Sequence, residues 1–108
     1  MLSESKITSA FDMLKERKVD HFKTVEELAF VKRELESKKL IGLADGTIDG
    51  KNAELREASA REKLADLFAS VEKAERFERE ARLYFDLAQV EVDYLKTILR
   101  LAELHQKL

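Results

Sequence analysis

The sequence predicts an all-α fold, an antiparallel helical hairpin that resembles a coiled coil and associates into a helical bundle. Three observations support this. Proline is absent, and all three glycines lie between Gly42 and Gly50. Good helix formers, chiefly Ala, Leu, Glu, Lys and Arg, dominate on both sides of that window. Apolar residues also recur at heptad spacing through most of the second half of the chain. We therefore expect one helical-hairpin domain over residues 1–108.

The first helix is expected over about residues 4–42, with Ser3 as its N-cap. The regular apolar spacing is lost after Lys15, and Thr24 with Glu27 forms a capping-box pattern that is typical of a helix start. The sequence leaves two alternatives open: a kink or break near residues 17–24, or one continuous helix.

The turn between the helices is expected at about residues 43–50 and superficially resembles a calcium loop. With Gly46 at position 6, an EF-hand would need oxygen ligands at positions 1 and 3 and a bidentate glutamate at position 12. The chain has Ile41, Leu43 and Asn52 there instead. We therefore predict a bend without a metal ion, in which Ile48 closes the end of the bundle, and no cofactor elsewhere.

The second helix is expected over about residues 51–105. It carries a run of positions separated alternately by four and three residues, which we call the heptad seam. A helix buries such a seam against a partner helix, and here the first helix is the expected partner. The seam consists of Ala60, Leu64, Leu67, Val71, Ala74, Glu78, Ala81, Phe85, Ala88, Val92, Leu95, Leu99 and Ala102.

Beyond Ala81 the second helix has more apolar residues than one partner helix can cover, because several lie outside the heptad seam. These additional residues are Leu83, Tyr84, Leu87, Val90, Tyr94, Ile98 and Leu101. An exposed apolar surface of this extent usually marks an interface, so we predict a homo-oligomer, with a dimer favoured. The predicted interface residues are Phe85, Ala88, Val92, Leu95, Ile98, Leu99, Leu101 and Ala102.

A second candidate site surrounds the turn. A helix N-terminus beside basic side chains can receive an anion or an acidic partner; alternatively, the same residues form a charge-balanced structural turn. The candidates are Lys38, Lys39, Lys51, Asn52 and Arg56.

Composition restricts the class of function. The 20 basic and 22 acidic residues give a net charge of -2, so the overall charge does not favour nucleic acid, although Tyr84 and Tyr94 beside basic residues keep that alternative open. No cysteine is present, and His21 and His105 have no second ligand one turn away. We expect no enzyme and no membrane span, and a cytoplasmic protein because the N-terminus lacks a signal peptide.

Two segments, IDGKNAELRE and VEVDYLKTILRLAEL, resemble sequences found in a known group of proteins, and the similarity extends over about residues 41–104. The chain resembles small helical proteins of unassigned role encoded by tailed bacteriophages and prophages, although Leu55 stands where those proteins usually have a polar residue. The resemblance implies a role during phage or prophage growth in the bacterial cytoplasm, but those proteins have no known activity to carry over. Our leading hypothesis is a non-enzymatic oligomeric protein that acts there by binding another protein, as a regulatory or accessory factor. The alternatives are a nucleic-acid-binding replication or recombination accessory, and a virion or scaffold component. The resemblance is strongest at Ile48, Gly50, Lys51, Asn52, Ala53 and Arg56.

Overall fold

A computed structural model describes residues 3–107. Within them the chain forms three helices and no strand: α1 at Glu4–Asp45, α2 at Ala53–Lys63 and α3 at Ala65–Lys107. The all-α helical hairpin predicted from the sequence is confirmed.

The first helix is continuous from Glu4 to Asp45, so the alternative of a break near residues 17–24 is wrong. Ser3 caps it as predicted, because the Ser3 Oγ accepts a hydrogen bond from the Lys6 backbone N–H at 3.2 Å. The helix ends three residues later than expected. Gly46, with a φ of +81°, ends it at the position where helices commonly take a left-handed residue.

Polar residues explain why the middle of α1 looked like a boundary. Arg17, His21 and Thr24 are half-buried at heptad positions of α1 that are more often apolar. The helical phase therefore does not change there, and the pattern of Thr24 and Glu27 does not start a helix.

The second predicted helix is divided at Leu64, which has a φ of -116° and a ψ of 31°. The hydrogen bonding continues on both sides of it. The Leu64 N–H donates to the Ala60 carbonyl at 2.8 Å, and the Phe68 N–H donates to the Leu64 carbonyl at 3.0 Å. No glycine or proline lies at this irregularity, so its position could not be predicted from the sequence.

The chain forms two compact units. The terminal unit comprises residues 3–23 and 79–107, and the turn unit comprises residues 24–78. Ala88 and Val92 are buried in the terminal unit. The turn unit buries Leu35, Ile48, Ala60, Val71 and Ala74.

Ile48 closes the end of the turn unit, as the sequence predicted. It is 4% exposed, and its N–H donates to the Gly42 carbonyl at 2.9 Å. The Ile48 side chain packs so closely on Gly42 that a Cβ there would lie 2.6 Å from the Ile48 Cδ1. Gly50 has a φ of +151°, and a Cβ on it would lie 2.7 Å from the Arg56 backbone nitrogen. Both glycines are therefore required by close packing.

Candidate interaction surface

The heptad seam of the terminal unit is used within the single chain. Val92 is 1% exposed and Ala88 is buried. Phe85 is half-buried, with its ring centroid 5.9 Å from that of His21 in α1. The prediction that Ala88 and Val92 contact another copy therefore needs correction, because the chain itself already covers both side chains.

The other predicted interface residues differ in how much they are covered. Leu95 and Ile98 are half-buried, whereas Leu101 is 56% exposed. Leu99 and Ala102, at the C-terminal end of the heptad seam, are exposed as well. Only this end of the predicted interface is open to a partner in the single chain.

A second set of residues on α3 remains open to solvent, and we call it the outer stripe. Its spacing also alternates between four and three residues, so all members lie on one helical face. Each of its six apolar side chains is more than half exposed. The outer stripe consists of Leu83, Leu87, Val90, Tyr94, Thr97, Leu101 and Leu104.

The outer stripe lies on the side of α3 opposite the heptad seam. Val92 lies nine positions after Leu83. Nine positions are two and a half turns of a helix with 3.6 residues per turn, so the two side chains point to opposite sides. Val92 faces the interior of the terminal unit, so Leu83 faces away from it. The second half of α3 therefore has two apolar faces, and the chain covers only one of them.

Most of the outer stripe was recognised from the sequence as additional apolar surface, and it was the reason for predicting self-association over residues 81–104. The residues named as the interface, however, came mostly from the heptad seam. Only Leu101 belongs both to the outer stripe and to the predicted interface. The heptad spacing of Leu83, Leu87, Val90 and Tyr94 is the signal that identifies a second face.

An open groove of about 710 Å³ lies beside the outer stripe within the terminal unit. No polar or charged side chain is buried anywhere in residues 3–107, so the groove has no buried acid, base or nucleophile. It is a furrow between packed helices that continues the apolar surface at Tyr94. It is lined by Ser5, Lys6, Ser9, Ala10, Glu91, Tyr94, Leu95 and Ile98.

Two of the groups that suggested nucleic-acid binding, Tyr84 and the basic residue Lys96, contact side chains of α1. The Arg17 Cζ lies 5.0 Å from the centroid of the Tyr84 ring. The Lys96 Nζ lies 5.9 Å from the centroid of the Phe11 ring. These cation–π contacts stabilise the terminal unit itself.

Lys39, one of the candidate anion-binding residues, belongs to a network inside the turn unit. Its Nζ lies 3.2 Å from a carboxylate oxygen of Glu57 and 3.8 Å from one of Glu36. The same Nζ and the Arg61 guanidinium lie 5.2 Å and 4.7 Å from the centroid of the Phe68 ring. This network joins α1 to α2 and α3, and neighbouring carboxylates offset the charge of Lys39.

Two more of the anion-site candidates hold the turn in place. The Asn52 Oδ1 accepts the Leu55 N–H at 2.9 Å and so caps α2. The Arg56 Nη1 donates to the Gly50 carbonyl at 3.3 Å. Lys38 and Lys51 are exposed. The structure therefore favours the structural interpretation of the turn.

The acidic side chain of Asp45, at the start of the turn, has a similar role. The Asp45 Oδ1 accepts the Thr47 backbone N–H at 2.9 Å. Hydrogen bonds from the Thr47 side chain and backbone lower the pKa of the Asp45 carboxyl below its usual value. Among residues 3–107 no three His, Cys, Asp or Glu side chains come together as metal ligands.

No helix in the described part of the chain is both long enough and apolar enough to cross a membrane. Comparison of the chain with protein-family models, with curated proteins and with solved structures gives no match.

Proposed function

We propose that this protein is a non-enzymatic helical-hairpin protein that self-associates and acts by binding other proteins. The observation that carries the proposal is the outer stripe, a regular heptad of apolar side chains that the chain leaves uncovered. Residues 3–107 bury no polar side chain and gather no cluster of metal ligands, so the geometry favours binding over catalysis.

Burial of the outer stripe would be strongly favourable. Complete burial of a Leu or Val side chain stabilises a protein by roughly 1.5–3 kcal/mol. Six apolar side chains of the outer stripe are between 54% and 63% exposed, so a large part of this free energy is still to be gained. Binding of a partner with a complementary apolar helix face would bury the outer stripe and so release this free energy, because coiled-coil helices pack through such stripes.

The cellular setting is part of the proposal. The resemblance at Ile48, Gly50, Lys51, Asn52, Ala53 and Arg56 supports an accessory or regulatory factor of a phage or prophage. On this proposal the protein acts in the cytoplasm of the bacterial host, where its self-associated form binds a cellular or phage protein.

The molar mass in solution tests the proposal, measured by light scattering after gel filtration at several concentrations. We expect a dimer at high micromolar concentration that dissociates on dilution. Leu87→Lys places a charge in the outer stripe and should give a monomer with unchanged helix content. Glu103→Lys introduces the same side chain on an exposed position outside the stripe and should still dimerise. A wild-type monomer at every concentration would contradict the proposal.

A further inference from the structure

We propose that a second copy of this chain covers the outer stripe, with the two α3 helices antiparallel and Leu87 of each copy opposite Leu104 of the other. This inference rests on the proposed self-association and specifies its partner, direction and register. It follows from the apolar pattern of the stripe and from the charges beside it.

The register brings the outer stripe from Leu87 to Leu104 into continuous apolar contact. Leu87 meets Leu104 of the second copy, Val90 meets Leu101, and Tyr94 meets Thr97, and each pair occurs twice by symmetry. Thr97 fits this apolar face because its Oγ1 donates to the Asp93 carbonyl of its own helix at 3.0 Å. Its hydroxyl is therefore satisfied within α3, which leaves its methyl group for the contact.

Charges beside the outer stripe select the antiparallel direction. Asp86, Asp93, Arg100 and Lys107 follow one another at seven-residue spacing along one flank of the stripe. When two identical helices pair antiparallel, the flank of one helix lies beside the same flank of the other. In the proposed register Asp86 meets Lys107 and Asp93 meets Arg100 of the second copy. The flank carries two acids followed by two bases, so it is complementary to the same flank of a second copy that runs in the opposite direction. Each of the two pairs occurs twice, which gives four ion pairs.

Other arrangements bring like charges together. In a parallel pair, opposite flanks meet, which places Asp86 beside Glu91 of the second copy twice. An antiparallel pair shifted by one heptad places Asp93 opposite Asp93. The opposite flank, with Tyr84, Glu91, Ile98 and His105, brings no like charges together in the proposed register. Because like charges across an interface suppress wrong pairings, the sequence favours one register.

The extent of the contact predicts its strength. From Leu87 to Leu104 the stripe is about 26 Å long at ~1.5 Å per residue, and it is one helix wide. With a helix diameter of about 10 Å, the contact covers roughly 260 Å² per partner, well below the roughly 800 Å² per partner of a standard stable interface. We therefore expect a reversible dimer that depends on protein concentration.

Single-cysteine cross-linking tests the register, since the chain has no cysteine of its own. A disulfide needs Cα atoms within about 7 Å. Mixed and oxidised Leu87→Cys and Leu104→Cys chains should form a heterodimeric disulfide, whereas each variant alone should not, because equal positions lie about 26 Å apart. Self-linking of Leu87→Cys would show a parallel pair and overturn the inference.

The same experiment separates this inference from the proposed function. A wild-type dimer by mass whose Leu87→Cys and Leu104→Cys chains do not cross-link would overturn the register but leave self-association intact. A monomer at every concentration would overturn both.

A charge exchange tests the register without any change in the apolar stripe. Asp93→Arg alone and Arg100→Asp alone each place two like-charge pairs in the proposed dimer, so each should raise the dissociation constant about tenfold. The double variant restores opposite charges and should recover most of the wild-type affinity. Additive losses in the double variant would overturn the inference.

Discussion

The turn unit and the terminal unit use their apolar residues differently. The turn unit buries Leu35, Ile48, Ala60, Val71 and Ala74, whereas the terminal unit buries only Ala88 and Val92. The turn unit also exposes apolar side chains such as Phe30 and Leu40, but they do not form a heptad stripe, and single exposed apolar residues are normal. The comparison indicates that the turn unit buries a core of its own, whereas the terminal unit leaves the outer stripe exposed, which is the surface that we propose a second copy covers.

A substitution at Ile48 tests whether the turn unit is closed by its own core, and it should destabilise the chain more than the other substitutions described below. Ile48→Ala removes the side chain that packs on Gly42 at the end of this unit. Large-to-small changes at buried positions leave a cavity, so we expect a loss of about 3 kcal/mol in the free energy of unfolding. Urea denaturation followed by circular dichroism measures this loss.

Leu40→Ala is the matched control for Ile48→Ala, because Leu40 is in the same unit and 66% exposed. It should change the free energy of unfolding by less than about 0.5 kcal/mol. Equal effects of the two substitutions would show that Ile48 does not close the turn unit.

A smaller loss is expected from Gly50→Ala. The new Cβ would lie 2.7 Å from the Arg56 backbone nitrogen, and a φ of +151° is unfavourable for alanine. We expect a loss of about 2 kcal/mol. Gly46→Ala is the control, since its φ is also positive, at +81°, but a Cβ there meets nothing within 4 Å. If thermal melting shows the same loss for both variants, close packing at Gly50 is not the cause.

The smallest expected effect concerns the charge of Asp45. Its pKa is lowered in the folded chain, so its charged form contributes stability that is present above the usual pKa. That contribution is lost as the pH falls through the lowered pKa that Asp45 has in the folded chain. Asp45→Asn keeps an oxygen acceptor for the Thr47 N–H but cannot titrate. The difference in melting temperature between wild type and this variant should therefore shrink from pH 7 to pH 3. A constant difference would contradict the role of the charge.

The sequence predicted much of the fold because its signals are local or periodic. The heptad seam correctly included Ala60, Val71 and Ala74, and Ile48 was correctly placed at the end of the hairpin. The continuity of α1 was harder to predict, because the polar residues Arg17 and His21 occupy heptad positions. The apolar spacing is therefore interrupted there although the helix continues. In such cases helix propensity indicates a continuous helix better than polarity does.

The candidate site was predicted less well, for a physical reason. The second half of α3 has apolar residues on two faces, and composition alone does not say which face the chain covers itself. The structure resolves this, because Val92 is 1% exposed whereas Val90, two residues earlier, is 63% exposed. At the turn, the structure shows that Lys39 and Arg56 contact other groups of the chain, which their sequence positions alone did not reveal.

The most direct test of the account is the melting temperature of the wild-type chain as a function of its own concentration. A self-associated native state is stabilised by mass action, so the melting temperature should rise with concentration in the wild type. In Leu87→Lys it should stay constant, and in Val92→Lys it should be lower at every concentration, because that substitution disrupts the covered face. A wild-type melting temperature that does not change from low to high micromolar concentration would contradict the claim that a second copy covers the outer stripe.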